Sequence, residues 1–114
     1  MSLPKPVARF TVVTLGVSDM RRSIAFYESL GFERKLQVTG EEVAFFDTGA
    51  TVLALYSWDK LALDAGLPAQ PQPAGFRGIT LAWNCRSESE VDDVLAFAVA
   101  QGARLQKGAH RTGY

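Results

Sequence analysis

RFTVVTLGVSDMRRSIAFYESLGFERKLQV, residues 9–38, sets out in order an apolar run, a polar helix start, an amphipathic helix, a glycine stop and a second extended run. The order recurs from residue 77 as RGITLAWNC, Arg86-Ser87, ESEVDDVLAFAVAQ, Gly102 and ARLQK. The chain therefore reads as two copies of one small module. In the first copy Phe10 to Val17 is β-branched and almost wholly apolar, the pattern of a strand covered on both faces, with Thr14 and Gly16 as its soft points. Asp19, preceded by Ser18, is suited to accept free amide hydrogens at a helix start. Met20, Ile24 and Tyr27 then recur on one helical face, while Arg21, Arg22 and Glu28 face water. Gly31 supplies a left-handed stop.

Three further strands fit between Gly31 and residue 57. Glu33 to Val38 alternates, Thr39-Gly40-Glu41 turns the chain into Glu42 to Asp47, and Gly49 turns it again into Thr51 to Ser57. Ser57 or Asp59 caps a short helix through Leu61 and Leu63 that stops at Gly66. LPAQPQPAG, residues 67–75, holds three prolines and suits a crossover between modules better than a strand. In the second copy Ser87 and Glu90 match a capping box, in which hydroxyl and carboxylate exchange bonds across the first turn. Val91, Val94, Leu95 and Ala98 form the apolar stripe of that helix.

The fold class expected is α+β: paired βαβββ modules forming a curled mixed sheet of about eight strands, two half-barrels with helices outside. A ferredoxin-like sandwich needs only four strands and two helices, and the strand count favours the paired module. The second copy carries too little chain after Gly102 for all of its strands, so it is expected to be incomplete at the C-terminus. The boundaries are about 7–66 for module one, 67–75 for the linker and 76–114 for module two, within one domain.

Twelve basic and twelve acidic residues cancel, and no Lys/Arg-rich run is present, so the electrostatic footprint of a nucleic-acid or anionic-membrane binder is missing. The single cysteine, Cys85, excludes an intrachain disulfide framework. With no apolar signal-peptide core in MSLPKPVARF, this points to the cytoplasm.

VVTLGVSDMRRSIAFYESLGFE, residues 12–33, resembles the first strand and helix of the vicinal oxygen chelate superfamily, which holds glyoxalase I, the bleomycin-resistance proteins and the extradiol dioxygenases. EEVAFFDTGATVLALY, residues 41–56, looks like its third and fourth strands. The resemblance implies two half-barrels around a cavity, a divalent metal there that binds two oxygens of a substrate, and a homodimer. Its metal ligands are histidine, glutamate or glutamine, near the start of each module's first strand and on each module's last strand. Carried over, the first three fall at Val12, Ala54 and Thr80, none of which can ligate. Residues 7–17, 51–57 and 76–83 contain no His, Cys, Asp or Glu, so a shift of register supplies no donor either. No metal and no other cofactor is expected.

With Val12 and Thr80 directed into the cavity, alternation adds Thr14 and Ala82, and Ala54 brings Val52 and Tyr56. Trp58 follows at the rim. These eight residues describe an apolar pocket with hydroxyl tips, suited to a small hydrophobic or aromatic molecule; ordinary core packing is the competing reading of each. Trp83 points away from Ala82, toward helix or interface. His110 lies in a polar tail without nucleophile or orienting partner, Cys85 reads as a small buried side chain, and Asp47 serves its turn. Arg77 and Arg86 could hold an anionic group, with surface solvation the competing role. No catalytic residue is assigned. The function expected is small-molecule binding or sequestration without the usual metal; the alternative is a metal-dependent lyase, isomerase or ring-cleaving dioxygenase.

Overall fold

The structure, a computed structural model, describes residues 3–35 and 39–113. Its elements run β1 (Val12–Val17), α1 (Met20–Ser29), β2 (Glu33–Lys35), β3 (Val43–Asp47), β4 (Val52–Ser57), α2 (Trp58–Asp64) and α3 (Glu88–Ala100). The part of the expected second strand at 36–38 lies outside the described residues.

Local chemistry explains where the helices begin and end. The Asp19 carboxylate accepts from the Arg22 amide at 3.0 Å, satisfying one of the orphan donors of α1. At the other end Gly31 takes φ 103°, and its amide donates to Glu28 O at 3.0 Å while that of Phe32 donates to Tyr27 O at 3.3 Å. This is a Schellman stop, and the Phe32 and Tyr27 rings make its hydrophobic contact at 6.4 Å. The same pair of bonds closes α2 at Gly66 and Leu67, and α3 at Gly102 and Ala103. Ser57 caps α2 through the Lys60 amide. Ser87 caps α3 through the Glu90 amide at 3.1 Å, but the Glu90 carboxylate accepts from the Arg86 amide and not from Ser87, so the expected capping box closes one residue early.

The four strands make one curled mixed sheet in the order β1-β4-β3-β2, not closed into a barrel. β1 and β4 are parallel, and the other pairs antiparallel. α1 covers one face: Ile24 packs with Ala44, Phe46, Leu53 and Leu55, and Leu15, Val17, Met20, Tyr27 and Phe32 surround them. Alternation then puts Val12, Thr14, Val43, Phe45, Val52, Ala54 and Tyr56 on the other face.

Two expectations are corrected. β1 is not covered on both faces: Val12 is 45% exposed, Phe10 precedes the strand and is 91% exposed, and β1 is an edge strand. The run at 76–84 is not a paired strand, and its Ile79, Leu81 and Trp83 stay about half exposed. Both departures have one cause. An apolar run becomes a strand by pairing and by burying a face, and the second module offers no sheet among the described residues. The second module is incomplete, as expected: the four strands of the described sheet all come from residues 12–57, and α3 buries none of its residues. The radius of gyration is accordingly 16.8 Å, against about 13 Å for a compact domain of about this size. No helix among the described residues is long and apolar enough to cross a membrane.

Candidate functional site

The sheet face turned away from α1 gathers five of the eight residues expected to line a pocket. Val12 lies opposite Val52, and Thr14 opposite Ala54, in the parallel β1/β4 register; Tyr56 follows opposite Gly16. On the far side of β4, Phe45 lies opposite Ala54 and Val43 opposite Tyr56. Phe45 and Val43 therefore belong to this face although the sequence reading omitted them; the alternation of Val43–Asp47 carried the signal. Thr80 and Ala82 are not brought into the sheet. They lie exposed on the unpaired run at 76–84, and Ala82 lines a separate cavity of about 660 Å³ with Phe26, Phe32, Leu53 and Trp83.

α2 closes one end of the open face. Ser57 caps it directly at the end of β4, which lays Trp58 and Leu61 over Gly16 of β1. The Trp58 indole donates to Gln70 O at 3.0 Å, satisfying its one donor. The Arg77 guanidinium stands over the Trp58 ring, 5.1 Å from its centroid, and its Nη1 donates to the Gly16 carbonyl. Arg77 is thus a neighbour of the site and not merely a solvated surface charge.

A cavity of about 640 Å³ straddles the free edge of β1, lined by Thr14, Tyr27, Trp58, Leu61, Arg77 and Ile79 among others. Tyr27 reaches it from α1. Burial raises the Tyr27 pKa above its ordinary 10.0, with the Arg77 charge pulling the other way. Trp83 packs against Phe32 with ring centroids 5.5 Å apart. Cys85 is half-buried. His110 is exposed, with Nδ1 3.3 Å from Gly108 O, and the Asp47 carboxylate accepts from the Gly49 amide at 2.8 Å, as its turn requires.

The positions that the family resemblance assigns to metal ligands do not fit a cation. Val12 and Ala54 share the open face and are flanked there in register by Val52, Thr14 and Phe45, a set whose only heteroatom side chain is one neutral hydroxyl. Divalent cations take several carboxylate, imidazole or thiolate donors. The acids on this face are engaged elsewhere: Asp47 in its turn, and Glu33 with Lys35 Nζ at 3.1 Å. Among the described residues no group of three His, Cys, Asp or Glu side chains converges.

A family model described as Glyoxalase/Bleomycin resistance protein/Dioxygenase superfamily matches residues 9–114. Among solved structures, a glyoxalase-related enzyme from Fulvimarina pelagi is 30% identical with a TM-score of 0.70, the match covering 84% of this chain and 66% of that one. A glyoxalase/bleomycin resistance protein/dioxygenase from Nocardioides is 24% identical with a TM-score of 0.74, covering 98% and 72%. The hypothetical protein SA1046 from S. aureus is 16% identical with a TM-score of 0.76, covering 96% and 80%. The last two likenesses establish the fold alone. None of the curated proteins matches the chain at a significant level.

Proposed function

The chain belongs to the Glyoxalase/Bleomycin resistance protein/Dioxygenase superfamily, and from that premise we propose that it binds or sequesters a small hydrophobic or aromatic molecule without the divalent metal that the family resemblance implies. The observation that carries this reading is the composition of the open face. Val12, Val52 and Phe45 supply apolar wall around the buried Ala54, Thr14 and Tyr56 supply hydroxyls, and Val12 and Ala54, the positions the resemblance assigns to a chelated cation, carry only methyl groups. Such a surface draws an apolar body out of water at about 25 cal/mol per Å² buried, while the few polar groups fix its orientation. The cavity of about 640 Å³ beside Thr14 and Trp58 has the volume of a small-ligand site.

The pocket-lining set is Val12, Thr14, Val52, Ala54, Tyr56 and Trp58, with Thr80 and Ala82 joining it if the run at 76–84 pairs beside β1. A second copy of the chain is the partner proposed to close the open face, because β1 leaves a free edge and Val12 a bare apolar side chain. The 1–114 segment then works as one domain of two modules joined through 67–75.

The test is a thermal-shift panel of aromatic and amphipathic compounds. Saturable stabilisation that grows with ligand concentration supports the reading. A flat response to the whole panel contradicts it. A response that requires added Zn, Ni, Mn or Fe transfers the protein to the metal-dependent lyase, isomerase or dioxygenase alternative.

A further inference from the structure

Among the described residues that line the cavity at the β1 edge, Arg77 alone is charged; the others are apolar, aromatic, glycine or the hydroxyl-bearing Thr14 and Tyr27. The ion pairs among the described residues take other cations, Arg21, Lys35, Lys60 and Arg111, and Arg77 has no carboxylate partner among those residues. Its guanidinium is nevertheless held in place, with one face on the Trp58 ring and Nη1 on the Gly16 carbonyl. Nη2 and Nε make no hydrogen bond to the described protein. A planar cation fixed by stacking, with a free edge of two parallel donors, matches a carboxylate in the bidentate geometry that guanidinium groups favour.

We propose that the cavity beside β1 takes a small organic monocarboxylate, its carboxylate on the free edge of Arg77 and its apolar or aromatic body against Trp58, Leu61 and Ile79. This deepens the small-molecule reading above and rests on it. The Tyr27 phenol and the Thr14 hydroxyl line the same space, and the phenol is a second donor for the anion. A neutral isostere of the same shape gains the burial without the pairing.

Isothermal titration with 2-naphthoate and 2-naphthamide separates the two contributions. The wild-type chain is expected to bind the acid about ten-fold more tightly than the amide, the size of one charge-assisted hydrogen-bonded contact. Arg77→Gln should erase that preference and leave amide binding in place, whereas Arg77→Lys, which keeps the charge but loses the fork, should retain only part of it. Because losing Arg77 also frees the run at 76–84 from Gly16, the wild-type protein supplies an independent readout: acid affinity falls with added salt and amide affinity does not. Equal affinity for acid and amide in the wild type, or a preference that survives Arg77→Gln, overturns the proposal while leaving an apolar binding pocket standing. Binding of neither compound overturns both.

Discussion

The ring of Trp58 occupies the space that a side chain on residue 16 would need: a Cβ built on Gly16 falls 2.9 Å from Trp58 Cε3 and 3.1 Å from Leu61 Cδ2. Gly16 is not among the glycines with positive φ, so close approach and not backbone freedom demands glycine there. That contact seats α2 across the end of the open face. Gly16→Ala should therefore lower stability by about 1–3 kcal/mol, the usual cost of overpacking. Trp58→Leu in the same chain should return part of the loss, because the two sites share one volume. Urea unfolding of the two single variants and the double variant measures the coupling.

The two faces of β3 predict opposite outcomes for neighbouring phenylalanines. Phe46 is fully buried beneath α1, and Phe46→Ala should cost about 3–5 kcal/mol, enough to unfold most of a marginal domain. Phe45 lies on the open face opposite Ala54 and is only partly buried. Phe45→Ala should leave the urea midpoint close to wild type while weakening aromatic ligands, a separation that denaturation and binding titrations report together.

Tyr27 sets a pH dependence at the alkaline end. Burial raises its folded-state pKa above the unfolded 10.0, so the fold holds the phenolic proton more tightly than the unfolded chain does. The stability linked to that proton is complete below the unfolded pKa and is lost as pH rises through the folded one. Melting temperatures of wild type and Tyr27→Phe, measured from neutral to strongly alkaline pH, should run parallel until about pH 10 and then diverge, the wild type falling faster. Parallel curves throughout would remove the burial argument for Tyr27.

α3 should be the least protected helix. None of its thirteen residues is buried, whereas α1 contributes Ile24 to the core, and helices without a packed face open readily. Amide hydrogen exchange is expected to be faster across Glu88–Ala100 than across Met20–Ser29. Ser87→Ala, which removes the cap, should lower helicity there by about 1 kcal/mol of local stability and leave the unfolding midpoint of the β1–β4 sheet unchanged.

The division between what was legible in the sequence and what was not follows the range of the interactions. α1 was readable because Asp19 and Gly31 act within one turn of it, and β3 and β4 because alternation and Gly49 mark them locally. Burial of β1 on both faces was misread: its composition is that of a covered strand, yet covering depends on chain elsewhere. The same holds for the run at 76–84, whose β-branched and aromatic residues become a strand only beside a partner. Gly16 carried a usable signal, since glycine inside an apolar strand marks close backbone approach. Arg77 carried only part of one: its sequence allowed it, like Arg86, to hold an anionic group, but the contact with Gly16 that sets it apart joins residues 61 positions apart. Val12, Thr14, Val52, Ala54 and Tyr56 came to share a face through strand period and register, while Thr80 and Ala82 required a pairing that the described residues do not make.

Metal content decides directly whether Val12 and Ala54 are pocket positions or stand beside a chelated cation. Protein purified without chelators, from cells supplied with Zn, Ni, Mn and Fe, is to be dialysed and its metals quantified per chain by elemental analysis. Far less than stoichiometric metal is expected, together with saturable binding of an aromatic ligand that added chelator leaves unchanged. One equivalent of a divalent metal retained through dialysis, with ligand binding lost on its removal, would contradict the reading of Val12 and Ala54 as wall and restore a Lewis-acid centre to this fold.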